Sequence, residues 1–184
     1  MNTNPRMLPS LQSEEEVLAL PPGERGRALQ KLIINTQGFI SIQTQLKFFE
    51  LPPNERKEVI LEFIRYKWLG REAVQKLFDL PSDERKVILP KYAYRYRFHY
   101  NEAVKIFNLP TDERRIVLTK FIFACRDMMY PNGPNDLLYE LRLYFLALPH
   151  DELQDILDMS YISLDDINTS RQRESRFRGD IVIF

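Results

Sequence analysis

Three times along the chain an aspartate stands directly before a glutamate, at Asp83-Glu84, Asp112-Glu113 and Asp151-Glu152. Neighbouring carboxylates can trade a proton with a substrate or hold a hard cation, provided that they converge on one point. Residues that recur at one place in each of several similar segments are instead expected to cap helices and to complement the positive end of the helix dipole. Histidines stand only at His99 and His150, without nearby cysteines or clustered carboxylates, so no zinc-ligand spacing is present. Cys125 falls on the apolar stretch FIFACRDMM and reads as a buried, inert thiol. Gly-x-Ser-x-Gly, Walker and dinucleotide-fold glycine patterns do not occur. No catalytic, metal-binding or cofactor-binding residue is assigned, and the expected class is non-enzymatic.

A second group of side chains is aromatic and basic. KYAYRYRFHY, Lys91 to Tyr100, alternates rings with other residues, cations among them, and Arg65, Lys67, Trp68 and Arg71 precede it. Rings interleaved with arginine could stack the bases of a single strand, or line a groove for a peptide. The candidate partner-binding residues are therefore Arg65, Lys67, Trp68, Arg71, Tyr94, Arg95, Arg97 and Phe98. The plainest reading is different: rings in the core and arginines in solvent.

Composition narrows the choice. Of 184 residues, 26 are lysine or arginine and 26 aspartate or glutamate, so no global field draws the chain to nucleic acid or to an anionic membrane. A protein or peptide partner is expected, and nucleic acid is disfavoured. One cysteine excludes an intramolecular disulfide and fits a reducing compartment. The first residues lack the basic end and apolar run of a signal peptide, and no apolar run is long enough to span a bilayer. A cytoplasmic location is expected, with export through a non-classical bacterial system as the alternative.

The elements that must position these residues come from a recurring phrase: LALPPGER (18–25), FELPPNER (49–56), FDLPSDER (78–85), FNLPTDER (107–114) and LALPHDEL (146–153). Its leucines, Leu20, Leu51, Leu80, Leu109 and Leu148, are 31, 29, 29 and 39 residues apart. Near-constant spacing of this kind marks stacked supersecondary units. After the phrase, apolar residues recur at fixed offsets: Val59, Ile60, Phe63 and Ile64; Ile88, Leu89, Tyr92 and Ala93; Val117, Leu118, Phe121 and Ile122. This is the buried stripe of a helix. Proline suits a first turn, and Ser82 and Thr111 could cap. A shorter helix precedes the next phrase, and the leucine before each proline must leave helical φ/ψ, which turns the corner. Ser13 and Glu16 form a capping-box signature. The phrase arginines should form a ladder that pairs with carboxylates of the adjacent unit.

LPPNERKEVILEFI (51–64) resembles the LP-x-x-[DE]-R helical units in the intracellular domain of bacterial magnesium transporters and, more loosely, flagellar-motor switch proteins. The likeness covers most of residues 13–162 at the level of short helix-turn phrases. It implies helical architecture alone; without a membrane domain, transport is not implied, and no functional residue carries over.

The expected fold is all-α: short helical hairpins, about ten helices in all, stacked antiparallel in a right-handed α-solenoid. A flexible leader (1–12), a repeat domain of five LPxxER-like units (13–162) and a basic, partly disordered tail (163–184) are expected. MMYPNGPND (128–136) reads as an inserted loop. In the tail, Val182 and Phe184 could add to a partner's sheet edge, or the segment could cover the last repeat. The Lys91–Tyr100 stretch is expected to be one helix, with Tyr92, Tyr96 and Tyr100 on one face, Tyr94 and Phe98 on another, and Pro90 kinking it or delaying its start. The expected function is protein–protein interaction, as an adaptor or regulatory module. Single-stranded nucleic-acid binding through the basic aromatic helix, or a secreted bacterial effector that binds a host protein, are the alternatives.

Overall fold

The computed structural model describes residues 13–96, 98–127 and 140–161, and every regular element among them is helical. The leader, the 128–136 insertion, the tail with Val182 and Phe184, and Arg97 lie outside the described residues. No helix among the described residues is long and apolar enough to cross a membrane. The chain divides into two compact units, Met1–Lys76 and Leu77–Phe184.

In the first unit, α1 (Glu14–Leu18) is closed by the Ser13–Glu16 capping box, with both reciprocal hydrogen bonds formed. α2 (Pro22–Thr36) packs on α4 (Pro53–Tyr66), while α3 (Ile42–Lys47) runs into a 3₁₀ turn, Phe48–Glu50. Leu29, Ile33, Val59, Ile60 and Phe63 are fully buried, and Phe48 meets Phe63 edge-on at 5.5 Å between ring centres. α5 (Arg71–Leu77) ends at the division between the units.

The second unit holds α6 (Ser82–Arg95), α7 (Tyr100–Phe107), α8 (Thr111–Asp127), α9 (Arg142–Leu146) and α10 (His150–Ser160). α8 packs against α6, α7 and α10. Tyr92 and Phe121, expected to align with Phe63 in the stripe, are buried as it is. Cys125 is buried with its thiol free of any disulfide.

The phrase makes helix starts, but not through side-chain caps. Pro21, Pro52, Pro81 and Pro149 occupy the cap positions of α2, α4, α6 and α10, and none of these ends has a side-chain cap hydrogen bond. Leu51 is extended at φ −70° and ψ 156°, as its following proline requires. Ser82 therefore does not cap: it is the first helical residue, and its hydroxyl donates to Glu113 at 2.6 Å. The capping role expected of the glutamates is also corrected at Glu113 and Glu152, which are buried in ion pairs.

What closes the corners of the first four phrases is their arginine; the fifth has Leu153 in its place. Arg56 Nη1 donates to the carbonyls of Phe49 and Leu51 at 3.2 and 3.5 Å. Arg85 Nη1 does the same for Phe78 and Leu80 at 3.3 and 2.8 Å, and Arg114 Nη1 for Phe107 and Leu109 at 2.9 and 3.3 Å. Carbonyls at the end of a helix have no partner within it, and a planar cation with several donors can serve two of them. The rest of the guanidinium faces the next phrase. Arg85 Nε and Nη2 grip the Glu113 carboxylate at 2.8 and 3.0 Å; Arg114 grips Glu152 at 2.7 and 2.6 Å. These forked, charge-assisted bonds form the expected ladder in the second unit. Hydrogen bonding to Arg85 holds the Glu113 carboxyl below its ordinary range, against the upward push of burial.

The first unit makes its joint differently. Arg25 turns Nε and Nη2 onto the Leu20 carbonyl at 3.1 and 2.9 Å. Glu55, in the position of Glu113, instead accepts a hydrogen bond from the Gly26 backbone N–H at 3.1 Å. Only glycine leaves room for this, since a Cβ on Gly26 would sit 2.5 Å from Glu55 Oε2 and 2.9 Å from its Cβ.

Candidate functional site

A cleft of about 330 Å³ lies in the first unit, lined by Gly38, Phe39, Ile40, Ser41, Gln45, Phe63, Lys67 and Trp68. Two loops build its walls, one leaving α2 and one leaving α4. The first leaves through two left-handed residues, Gln37 at φ 51° and Gly38 at φ 77°; the Gly38 N–H returns to the Ile33 carbonyl at 2.9 Å. Glycine is needed twice over here, because a Cβ would also meet Lys67 Cγ at 2.7 Å. The second loop begins where Lys67 becomes extended, at φ −145° and ψ 156°.

Gln45, itself buried, ties the loops together. Its Nε2 donates to the Ile40 carbonyl at 3.1 Å and its Oε1 accepts from the Gly70 N–H at 2.7 Å. Glu14 pins the Ser41 edge, accepting from the Ser41 N–H at 3.0 Å and from the hydroxyls of Ser41 and Thr44. Burial alone would raise the Glu14 carboxyl; the bonds from Ser41 and Thr44 leave it below its ordinary value.

On this frame stand two exposed rings with a cation near both. Phe39 is 70% exposed and Trp68 65%. Lys67 Nζ lies 4.0 Å from the centre of the Phe39 ring and 5.4 Å from that of Trp68. Each such contact contributes about 0.5–1 kcal/mol at an exposed site, which orders the lysine without satisfying its charge.

The sequence candidates divide between the units. In the first, Arg65 is exposed and pairs with Glu62 at 2.8 Å, Lys67 and Trp68 form the cleft, and Arg71 is exposed at the start of α5. In the second, Tyr94 and Arg95 are exposed at the end of α6. Phe98 is corrected: it is 2% exposed, between Phe78 at 5.6 Å, Tyr92 at 5.3 Å and Phe121 at 6.2 Å, and belongs to the core. Nor is Lys91–Tyr100 one helix. α6 continues through Pro90 and stops at Arg95; Tyr96 is extended, and α7 begins at Tyr100. Tyr92, Tyr96 and Tyr100 thus share no helix face.

Phe39 escaped the sequence reading because no basic aromatic run surrounds it. The available signal was Gln37-Gly38, a left-handed helix stop, followed directly by a large ring outside the repeated stripe. No family model, curated protein or solved structure matches the chain.

Proposed function

We propose that the chain is a non-enzymatic protein-interaction module, an α-solenoid of helical hairpins that engages its partner at the Phe39–Lys67–Trp68 cleft. The observation that carries this reading is the pair of exposed rings around Lys67. Tryptophan is enriched among interface hot spots, and exposed aromatic rings held in water gain by being covered. Gln45 and Gly38 hold the walls in place beforehand, so little ordering is required when a partner arrives.

The equivalent closures by Arg56, Arg85 and Arg114, and the links from Arg85 to Glu113 and Arg114 to Glu152, favour the solenoid arrangement. Stacked hairpins of this sort offer extended surfaces to protein partners. A cytoplasmic location accords with a single, buried cysteine.

Cross-linked capture from an extract of the source cells, with the full chain and with Trp68→Ala side by side, tests the proposal. At least one protein should be held by the native chain and lost from the variant, while both have the same helical circular dichroism. An identical catch from both, or a purified chain that turns over a substrate and retains no protein, would overturn it.

A further inference from the structure

Among the described residues, Lys67 carries the only charge on the lining of the cleft. Its ammonium lies near two ring faces, and among the described residues no carboxylate forms an ion pair with it. The contrast with the neighbouring cations is instructive: Lys47 pairs with Glu50 and Arg65 with Glu62, each at 2.8 Å. Among the other polar side chains of the lining, Ser41 and Gln45 are engaged, which leaves the indole N–H of the exposed Trp68. Ser41 binds Glu14, and both ends of the Gln45 amide are used inside the protein. What the side chains of the cleft offer an incoming molecule is therefore one cation, the indole N–H of Trp68 and two apolar rings.

We infer that the cleft takes an acidic linear segment of a partner protein, one carboxylate meeting Lys67 and an adjacent aromatic or aliphatic side chain lying against Phe39 and Trp68. The charge requirement follows from Lys67, because covering it without an anion would strand a desolvated ammonium. The apolar requirement follows from the two rings, whose burial supplies the larger favourable term. A polynucleotide fits less well. Its affinity grows with the number of phosphates neutralised, and this cleft presents a single cation.

The inference rests on the proposed interaction function, and its test separates the two. Trp68 is the chain's one tryptophan, so its fluorescence reports on this cleft directly. A displayed library of short random peptides is panned on the full chain and on Lys67→Glu, and enriched peptides are titrated against Trp68 emission. Native chain should enrich sequences that place Asp or Glu beside an apolar residue, with saturable emission changes. Replacing the acids of those peptides by amides should weaken binding about tenfold or more, and Lys67→Glu should shift the enrichment to basic sequences. Enrichment without acidic bias, or binding that Lys67→Glu leaves unchanged, overturns the inference while protein capture through Trp68 still supports the interaction function. Loss of protein capture as well removes both. No enriched peptide at all, or tighter saturation by single-stranded DNA than by any peptide, also overturns the inference.

Discussion

Lys67-Trp68-Leu69 and Tyr96-Arg97-Phe98 occupy the same place in the repeat, 29 residues apart, yet their rings have opposite fates. Lys67 and Tyr96 leave their helices alike: each is extended, and each N–H bonds the carbonyl four residues back, at 3.0 and 2.7 Å. Leu69 and Phe98 then both turn inward and are buried. The ring of Trp68 stays in water beside Phe39 and Lys67, whereas Phe98 fills a space bounded by Phe78, Tyr92 and Phe121. One backbone exit thus serves a cleft in the first unit and a core in the second. An aromatic, basic run is no evidence of a surface until the register of the repeat has been followed through it.

The largest expected effect lies in the core that the second unit makes of its rings. Phe121 is fully buried against Phe98, and Phe121→Ala should lower stability by about 3–5 kcal/mol. Chemical denaturation measures this, and an unchanged midpoint would move Phe121, and with it the core reading of Phe98, to the surface.

Next comes the ladder. Glu113 is almost fully buried in its pair with Arg85, so Glu113→Gln should cost about 2–4 kcal/mol at neutral pH by leaving Arg85 facing an amide. The pH dependence has a definite sign. The folded carboxyl titrates below its unfolded value, so the unfolded chain binds the proton more readily. The stabilisation is fully present above the ordinary carboxylate range and is lost as pH falls through the folded value. The gap between native chain and Glu113→Gln should therefore narrow on acidification, and a gap constant from neutral to acid pH would contradict the pairing.

The joint of the first unit should break by a different route. Gly26→Ala places a methyl group 2.9 Å from Glu55 Cβ, which no side-chain rotation relieves. A loss of about 1–3 kcal/mol is expected from the forced separation of α2 and α4. Alanine at the corresponding Lys86, whose ammonium pairs with the exposed Asp112, should leave the denaturation midpoint nearly unchanged, because exposed pairs contribute little. Equal losses at the two positions would mean that the joints are built alike.

Trp68→Ala should cost little stability, at most about 1 kcal/mol, because the ring is mostly in water and gives up little besides its contact with Lys67. Under the proposed interaction function, its consequence is expected in binding. A large fall in denaturation midpoint would instead make Trp68 a structural residue.

Much of this was legible in the order of residues. The Leu-Pro phrase predicts helix starts, and α4, α6 and α10 begin one residue after its proline. The spaced apolar residues predict Phe63, Tyr92 and Phe121 inside, and Ser13 with Glu16 predicts the capping box. The register even contained the answer for Phe98, since it aligns with the apolar Leu69. The end of α6 was missed because helical periodicity says nothing about where a chain leaves the helix to fill a gap. The role of Glu113 was missed because an acidic residue in a first turn looks the same whether it serves its own helix or an arginine 28 residues earlier.

The cleft was half legible. Lys67 and Trp68 stood out by type, but Gly38 and Phe39 come to them from the loop before α3, and Gln45 from α3 itself. Helix starts, corners and buried stripes depend on backbone sterics and hydrogen bonds within a few residues, so the residue order contains them. Which rings find a filled space and which are left in water depends on volume contributed by segments 20 to 30 residues away, such as Phe39 beside Lys67 or Phe121 beside Phe98. That matching of volume exists only once the helices have packed.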